Sequence, residues 1–262
     1  MKTINKLLKL VLMLSLIFLS TTKAQELRSI QNNAFKKGEV ITYRVHYGII
    51  DAGIARLEVL DEEKKYGNRD AFHIVGTGKS RGAFDWFFKV RDRYETFIDA
   101  EAIVPWVFLR RVDEGGYKIN QNYVFNPFQN KVIADGKHFE TPDNVQDMLS
   151  SFYYSRCIDY SKAKEGDIFT IPSFVDNEIF EMKIKYIGKE TIETDLGVFK
   201  CLKFRPVVQK GRVFKKEEDL NVWISDDANH IPLRAKAEVL IGSVKMDITG
   251  TNNLANPLAK AD

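Results

Sequence analysis

The segment ITYRVHYGIIDAGIARLEVL, residues 41–60, contains two runs in which apolar and polar side chains alternate. From Ile41 to Tyr47, every second residue is apolar or aromatic. Side chains alternate between the two faces of a β-strand, so this run predicts a strand with one apolar face. The turn from Gly48 to Gly53 then reverses the chain into a second strand at 54–60. The segment therefore predicts an antiparallel hairpin.

The same alternation returns along most of the remaining chain. Pairs such as Gly115-Gly116 and Asn126-Pro127 supply turns between the runs. Further strands are predicted at residues 72–77, 89–98, 107–112, 117–125, 131–134, 167–171, 178–186, 198–207, 218–225, 233–240 and 244–249. Helices do not alternate with these strands, so a parallel doubly wound sheet is not expected.

One segment has helical spacing instead. Thr141-Pro142-Asp143 combines a capping hydroxyl, a proline at the first helical position and an acid in the first turn. Apolar residues then recur at helical spacing to near Tyr160. The expected fold class is mainly β, with a large curved antiparallel sheet or open β-barrel and one amphipathic helix at about residues 142–160.

The first 24 residues have the composition of an export signal. Three lysines precede an apolar run from Leu10 to Leu19, and small residues follow up to Ala24. The apolar run is about half as long as a membrane-spanning helix requires, and position 25 is glutamine rather than the cysteine of a lipoprotein. We expect cleavage after Ala24 and an exported protein, periplasmic or secreted, that is not a lipoprotein and keeps no transmembrane segment.

After the signal, we expect a polar lead-in at residues 25–36, a single β-rich domain at 37–250 and a flexible tail at 251–262. The signal contains four lysines and no acid, while the whole chain has a net charge of +3, so the remainder has a net charge of −1. A nucleic-acid-binding domain would show a clustered basic excess, and we expect no nucleic-acid partner. Cys157 and Cys201 form either a disulfide, which an exported compartment permits, or two half-buried thiols.

A possible catalytic motif is the segment Gly78 to Gly82, which matches the G-x-S-x-G pattern of serine hydrolases. That motif works on a sharp turn from a central strand into a helix of an α/β sheet, whereas antiparallel strands are predicted here. A glycine-rich connection is the alternative to a hydrolase centred on Ser80. The four histidines lack zinc-ligand spacing, and no phosphate, calcium or dinucleotide motif occurs. We therefore expect no catalytic residue, no metal and no cofactor.

The most unusual feature is a run of aromatic residues at 84–88, with Trp106 further along. Neighbouring aromatic residues on an extended or turning segment face opposite sides, so some are candidates for exposure to a ligand. Packing in the core is the alternative. Arg91 and Tyr94 could orient a polar head group or belong to a ladder of charges between strands. The candidate ligand-binding residues are Trp86, Phe87, Phe88, Arg91, Tyr94 and Trp106.

Short motifs of small, acidic and aromatic residues are spread over the chain after the signal. They are Tyr43–Gly48, Ala52–Ala55, Lys89–Asp92, Asp147–Ser150 with Tyr153 and Arg156, Trp223–Asp227, Ile231–Arg234 and Gly242–Ser243. Together they resemble an exported bacterial family catalogued as domain of unknown function 3108, over about residues 35–249. The resemblance implies a periplasmic or envelope location and a β-rich fold similar to the open barrels of lipoprotein carriers. It implies no catalytic residue. Ala52–Ala55 also places small residues where another backbone or a ligand can approach closely.

These observations lead to the hypothesis of a non-catalytic envelope protein whose curved sheet holds an apolar or amphipathic ligand, either a lipid or a glycan. One alternative is a module that binds an envelope protein through its sheet edges or aromatic surface. The other alternative is the hydrolase at Ser80. A continuous cavity on the concave side of the sheet would favour ligand binding, and a filled interior would favour a scaffold.

Overall fold

A computed structural model describes residues 26–207, 219–239 and 242–261, so the predicted export signal lies outside the described residues. Fifteen strands of the described residues form one antiparallel sheet, and two short helices interrupt the strand order, which confirms the predicted fold class. In chain order the elements are β1 (Val40–Tyr47), β2 (Ile50–Val59), β3 (Lys64–Tyr66), β4 (Arg69–Ser80), α1 (Gly82–Phe87), β5 (Arg91–Asp99), β6 (Pro105–Glu114), β7 (Tyr117–Asn126), β8 (Lys131–Ala134), β9 (Lys137–Glu140), α2 (Met148–Arg156), β10 (Ile168–Val175), β11 (Glu178–Thr194), β12 (Gly197–Pro206), β13 (Leu220–Ser225), β14 (Pro232–Glu238) and β15 (Ser243–Asn252).

The first and last strands of the chain pair in the interior of the sheet. β1 has β2 on one side and β15 on the other, both antiparallel. From β1 the sheet continues through β2, β4, β5, β6, β7 and β8 to β9, with β3 beside β4. In the other direction it continues through β15, β14, β13, β12 and β11 to β10. The sheet is open, and β9 and β10 form its two ends.

At one end of the sheet, the chain between β9 and α2 contacts β10, the strand at the other end, through two backbone hydrogen bonds. The N–H group of Gln146 donates to the carbonyl of Pro172 at 2.8 Å, and the N–H group of Phe174 in β10 donates to the carbonyl of Gln146 at 2.7 Å. Phe174 also packs against Phe139 of β9, with ring centroids 5.1 Å apart. These contacts bring β9 and β10 close together, although the two strands do not pair.

The core lies on the inner face of the curved sheet, against helix α2. Its largest cluster joins side chains of strands β4 to β8 and β10, such as Ile74, Phe108 and Phe174, to Leu149 and Tyr153 of α2. A second cluster covers the inner face on the other side of β1. The apolar side chains that alternate along the predicted strands are thus the ones that the inner face buries.

Helix α2 is shorter than the predicted range of 142–160. It begins after Asp147, whose carboxylate accepts hydrogen bonds from the N–H groups of Leu149 and Ser150 at 2.7 and 2.8 Å. Asn144 has a φ of +56°, in the left-handed region, and a right-handed helix cannot continue through it. The proline-containing segment before it therefore forms a turn, and the helix has a different cap from the one that we predicted.

Helix α1 occupies the aromatic segment that we expected to be extended or turning. It contains only six residues, Gly82–Phe87, and begins directly after β4. Gly82 has a φ of +58°, which a glycine adopts without the steric cost of a side chain. This glycine turns the chain out of the sheet, so that the helix lies across the end of the strands.

The chain after β15, which we predicted to be a flexible tail, contacts the rest of the fold. The N–H group of Asn256 donates to the side-chain oxygen of Asn229 at 2.9 Å. Leu254 and Leu258 pack against the second core cluster. These apolar contacts hold the described part of the tail against the sheet.

Both cysteines are thiols in the structure. Cys157 follows α2, whereas Cys201 lies buried in β12. Of the two possibilities that the sequence left open, the structure has the pair of free thiols.

Candidate functional site

A cavity of about 700 Å³ lies between helix α1 and the inner face of the sheet. Strands β1, β2 and β4 line it through Val45, Ala55 and Gly78, and α1 lines it through Phe84 and Phe87. This cavity, which we call the α1 cavity, is thus formed mainly by apolar groups.

Two more cavities continue along the same face. A cavity of about 340 Å³ shares Ala55 and Gly78 with the α1 cavity and is bounded on its far side by helix α2. A third cavity, of about 160 Å³, shares Met148 and Phe152 of α2 with the second. Because neighbouring cavities have wall residues in common, they form a row along the inner face, which we call the trough.

The width of the trough depends on residues with little or no side chain. A Cβ atom added at Gly78 would meet only the Cβ of Asp92, at 3.8 Å, so the space in front of this glycine is open. At Gly76, the added atom would lie 3.3 Å from Leu57 and 3.7 Å from Leu149, so that glycine allows close packing instead. A larger residue at position 78 would therefore extend into the trough at the boundary of its first two cavities.

The polar residues on the trough walls include two with carboxyl groups at the boundary between the first two cavities. Asp92 lines the second cavity and Glu114 lines the α1 cavity. Burial raises the pKa of Asp92, although the N–H group of Asp113 donates to its carboxylate at 3.2 Å and opposes that rise. A carboxyl group in this state can accept a hydrogen bond from a ligand or, when protonated, donate one.

Tyr43 lines the second cavity, and its hydroxyl group is buried in the protein. This hydroxyl has no hydrogen-bond partner among the described residues, and burial raises its pKa. The charged groups of Arg156 and Glu39 act on this hydroxyl. Because the hydroxyl is inaccessible even from the cavity, Tyr43 contributes to the wall without offering a polar contact to a ligand.

Helix α1 is fixed over its cavity by a group of polar contacts. Arg91 of β5 contacts both carboxylate oxygens of Asp85 in α1, at 2.6 and 3.0 Å. These contacts and a hydrogen bond from Ser80 lower the pKa of Asp85 to about 2. At the start of the helix, the guanidinium of Arg81 forms an ion pair with Asp51. The backbone N–H group of Arg81 donates to the carbonyl of Ala52 at 3.0 Å. The helix is thus joined to β2 and to β5.

The structure places Ser80 at a junction from strand to helix, as the hydrolase motif requires, but gives it other contacts. Its hydroxyl donates to Asp85 at 2.5 Å and accepts the N–H group of Val90 at 2.7 Å. No histidine hydrogen-bonds to this hydroxyl in the part of the chain that the structure describes. The contacts of Ser80 favour a structural role in holding α1.

The six residues predicted to bind a ligand are not all brought together. Phe87 and Phe88 line the α1 cavity, and Tyr94 lines the second cavity. Arg91 is paired with Asp85 of helix α1 rather than with a charge on a neighbouring strand. The other two members of the predicted set lie outside the trough.

Those two residues differ in their exposure. Trp86 is 91% exposed on the outer side of α1. Trp106 is buried elsewhere on the sheet, where it stacks on Tyr66 with ring centroids 5.8 Å apart. Their assignment to a ligand site remains a prediction.

Several trough residues escaped the sequence-based prediction. Met148 and Phe152 lie on the side of α2 that faces the trough, and Asp92 was not among the six predicted residues. The small residues at 52–55 were a sequence signal that pointed to the trough. A Cβ atom at Gly53 would collide with the carbonyl of Lys79, and Ala55 lines the cavities. Tyr43 and Ala55 belong to alternating runs, but alternation alone cannot separate a cavity wall from a filled core.

Other titratable groups of the described residues form pairs and small groups on the sheet. His73 lies between Glu62 and Glu95, with ring nitrogens 2.7 and 2.9 Å from their carboxylates. Among the described residues, no group of three histidine, cysteine or acidic side chains is placed to hold a metal ion. Neither helix among those residues has the length and apolar character needed to span a membrane.

A family model described as protein of unknown function (DUF3108) matches residues 42–249. No curated protein matches the chain by sequence. The structure is similar to a crystal structure of a β-barrel-like protein of domain of unknown function DUF1849 from Brucella abortus, with a TM-score of 0.53 and 10% identity over 87% of this chain and 99% of that chain. This likeness supports the barrel-like fold.

Two other crystal structures show weaker likeness. One is a candidate lipoprotein from Parabacteroides distasonis, with a TM-score of 0.35 and 11% identity over 87% of this chain and 100% of that chain. The other is a candidate exported protein with a YmcC-like fold from Bacteroides fragilis, with a TM-score of 0.32 and 13% identity over the same shares.

Proposed function

This chain belongs to the DUF3108 family of proteins of unknown function, and we propose that it is a non-catalytic protein that binds one apolar or amphipathic molecule in the trough. The observation that carries this proposal is the row of cavities along the inner face of the sheet. Ligand sites are concave, mostly apolar and about 300–1,000 Å³ in volume, with a small number of polar groups. The α1 cavity, at about 700 Å³, lies within that range.

The shape of the trough favours an elongated ligand. Its three cavities follow one another from α1 past α2, so a chain-like apolar group could extend through more than one of them. Asp92 and Glu114 could contact a hydroxyl or amine part of the same molecule. A lipid with an acyl chain fits this arrangement better than a glycan, which would require many more hydrogen-bonding groups.

The predicted export signal supports an envelope location for this activity. We expect the exported protein to begin at Gln25 and to carry no lipid, because cysteine is absent at that position. The intact mass of the protein recovered from its own cells checks both points. A mass that includes residues 1–24, or that exceeds the chain by the mass of acyl groups, would contradict the expected processing.

The proposed function can be tested with N-phenyl-1-naphthylamine, an apolar dye whose fluorescence rises in apolar sites. We expect the full chain to bind the dye and oleoylglycerol to displace it. Gly78→Leu should weaken dye binding about tenfold or more, because its side chain would occupy the open space at the boundary of two cavities. Position 78 has no left-handed φ, so leucine fits the strand.

The matched control is Gly250→Leu. Gly250 lies in β15 and lines none of the three cavities, and an added Cβ would meet only Thr42, at 3.9 Å. This variant should bind the dye as the unchanged protein does. No dye binding by the unchanged protein, or equal binding by both leucine variants, would refute the proposed site.

A further inference from the structure

The ends of two neighbouring segments expose large apolar side chains beside the α1 cavity. In the turn after β1, Ile49 is fully exposed, and Ile50 at the start of β2 is half-exposed. On helix α1, Trp86 is 91% exposed and Phe87 is 61% exposed. We call these four residues the rim. Monomeric proteins seldom expose neighbouring large apolar groups without an interaction that covers them.

The rim is one surface rather than two separate features. Arg81, at the start of α1, is bonded through its backbone to Ala52 and through its side chain to Asp51, directly after the exposed turn. Phe84 of α1 also lies 6.0 Å from the ring of Tyr47, directly before that turn. The turn and the helix are therefore held side by side at one end of the trough.

Exposed basic side chains lie beside the rim. Residues 79–91 contain four basic side chains, of which Arg81 and Arg91 are paired with Asp51 and Asp85. Lys79 and Lys89 are exposed. An apolar tip with tryptophan, flanked by basic side chains, has the composition of surfaces that bind at the interface of anionic membranes.

The geometry points to an anionic phospholipid bilayer as the partner of this surface: we propose that the rim inserts into the bilayer surface and that the α1 cavity opens there. Phe87 belongs to both the rim and the cavity wall, so an apolar path leads from the docked surface into the trough. Docking would let a lipid pass from the bilayer into the trough without crossing water. This role of docking rests on the proposed function.

Tryptophan fluorescence can test the docking directly. The chain has three tryptophans, and Trp106 and Trp223 are only 9% and 8% exposed, so a quencher in the membrane should reach Trp86 alone. With the full chain and vesicles of phosphatidylglycerol and brominated phosphatidylcholine, we expect emission from Trp86 to shift to shorter wavelength and to be quenched. Vesicles of brominated phosphatidylcholine alone should give a clearly weaker effect. Because Trp86 itself must enter the bilayer, attachment through residues 1–24 alone would not produce this signal.

Two variants separate the apolar and basic contributions. Ile49→Asp keeps Trp86 and changes a fully exposed residue, so it should fold normally and yet lower the affinity for the vesicles about tenfold. Lys79→Gln with Lys89→Gln should reduce the preference for anionic vesicles. The control is Val124→Asp, because Val124 is 49% exposed and lies far along β7 from the end that adjoins Glu114.

The outcomes for docking and for ligand binding are distinguishable. Absence of quenching in the unchanged protein, or equal quenching of the Ile49→Asp and unchanged proteins, would overturn the docking proposal, even if the dye binds. Equal quenching in neutral and anionic vesicles would overturn the choice of an anionic membrane. Gly78→Leu should still dock, so loss of dye binding in that variant concerns the trough alone.

Discussion

Arg156 illustrates how single side chains hold this fold together. Its guanidinium forms two hydrogen bonds to the carboxylate of Glu39, at 2.6 and 2.9 Å, and both side chains are 1% exposed. The remaining donors reach the carbonyls of Ala34 and Asn229, at 2.8 and 2.9 Å. One residue of α2 thus joins the lead-in, the residue before β1 and the turn after β13 through four hydrogen bonds.

We expect Arg156→Met to lower the free energy of unfolding by about 3–5 kcal/mol, because the Glu39 carboxylate would remain buried without its partner. Combining it with Glu39→Gln should recover part of that loss. Urea unfolding of the single and double variants gives the coupling between the two sites. Lys37→Met, which breaks the exposed pair with Glu63, is the control and should cost at most about 1 kcal/mol. Equal effects of Arg156→Met and Lys37→Met would contradict this account.

Asp147 is a buried acid with an altered protonation equilibrium. Burial raises its pKa from 3.8 to about 6, although hydrogen bonds from Thr96, Ser150 and Leu149 oppose the rise. The folded state therefore holds this proton more tightly than the unfolded state. The stabilisation from proton binding is fully present below pH 3.8 and is lost as the pH rises through about 6.

Asp147→Asn should remove that pH dependence while keeping a side-chain oxygen for the helix cap. Relative to the variant, the unchanged protein should lose stability between about pH 4 and pH 7. Each pKa unit corresponds to about 1.4 kcal/mol, so the rise from 3.8 to about 6 sets an upper limit of about 3 kcal/mol. Urea unfolding at several pH values measures the difference. Parallel stability curves for the two proteins would show that Asp147 does not titrate as described.

At the scale of elements, the strands were predictable and the helices only partly so. Alternating side chains marked most strands, because each strand buries one face against the core. The short strands β3 and β9 escaped prediction, since a few residues contain too little alternation. For α2, the proline-containing start looked like a helix cap, but the left-handed Asn144 separates it from the helix. Asp147 caps the helix instead, and the capping pair Asp147 and Ser150 could have been recognised from their spacing.

Helix α1 was not predictable from local sequence. Six residues are too few for a helix to be stable alone, and aromatic residues do not favour one. The helix is held by Ser80, Asp85 and Arg91, which are contacts that only the folded sheet brings together. The trough was equally hidden, because its openness at Gly78 depends on what the other strands and α1 place opposite it.

We expect Ser80→Ala to loosen α1 without unfolding the sheet. The substitution removes a hydrogen bond to Asp85 and leaves the N–H group of Val90 without the hydroxyl as its acceptor, at a cost of about 1–3 kcal/mol. Amide hydrogen exchange should become faster at residues 82–90 and stay unchanged in α2, which serves as the internal control. Faster exchange in both helices would mean that the substitution affects the whole fold.

At the scale of the whole molecule, the curved sheet supplies its own core and needs no covalent link between its parts. Cys157 and Cys201 remain thiols, and burial raises their pKa values to about 11 and about 12. A thiol reacts with an alkylating agent as its thiolate, so both should be unreactive at neutral pH in the folded protein. This state follows from the tertiary structure, which is why the sequence left the disulfide open.

Mass spectrometry with iodoacetamide checks the state of the cysteines. The folded protein should keep its mass on treatment, whereas protein unfolded in urea without a reductant should gain two alkyl groups. A reductant should not be needed for the second result. If only reduced protein is alkylated in urea, the two cysteines are joined by a disulfide.

The pairing of β1 with β15 also determines how the chain could be divided. A break in the connection before α2 would leave nine strands, β1 to β9, on one fragment and six strands, β10 to β15, on the other. Each fragment keeps a contiguous half of the sheet, and a single strand pair, β1 with β15, would reunite them through main-chain hydrogen bonds. Because residues of both halves line the trough, the cavity would exist only after the fragments reassociate. The architecture therefore suits complementation, in which ligand binding reports the reunion of two separately produced pieces.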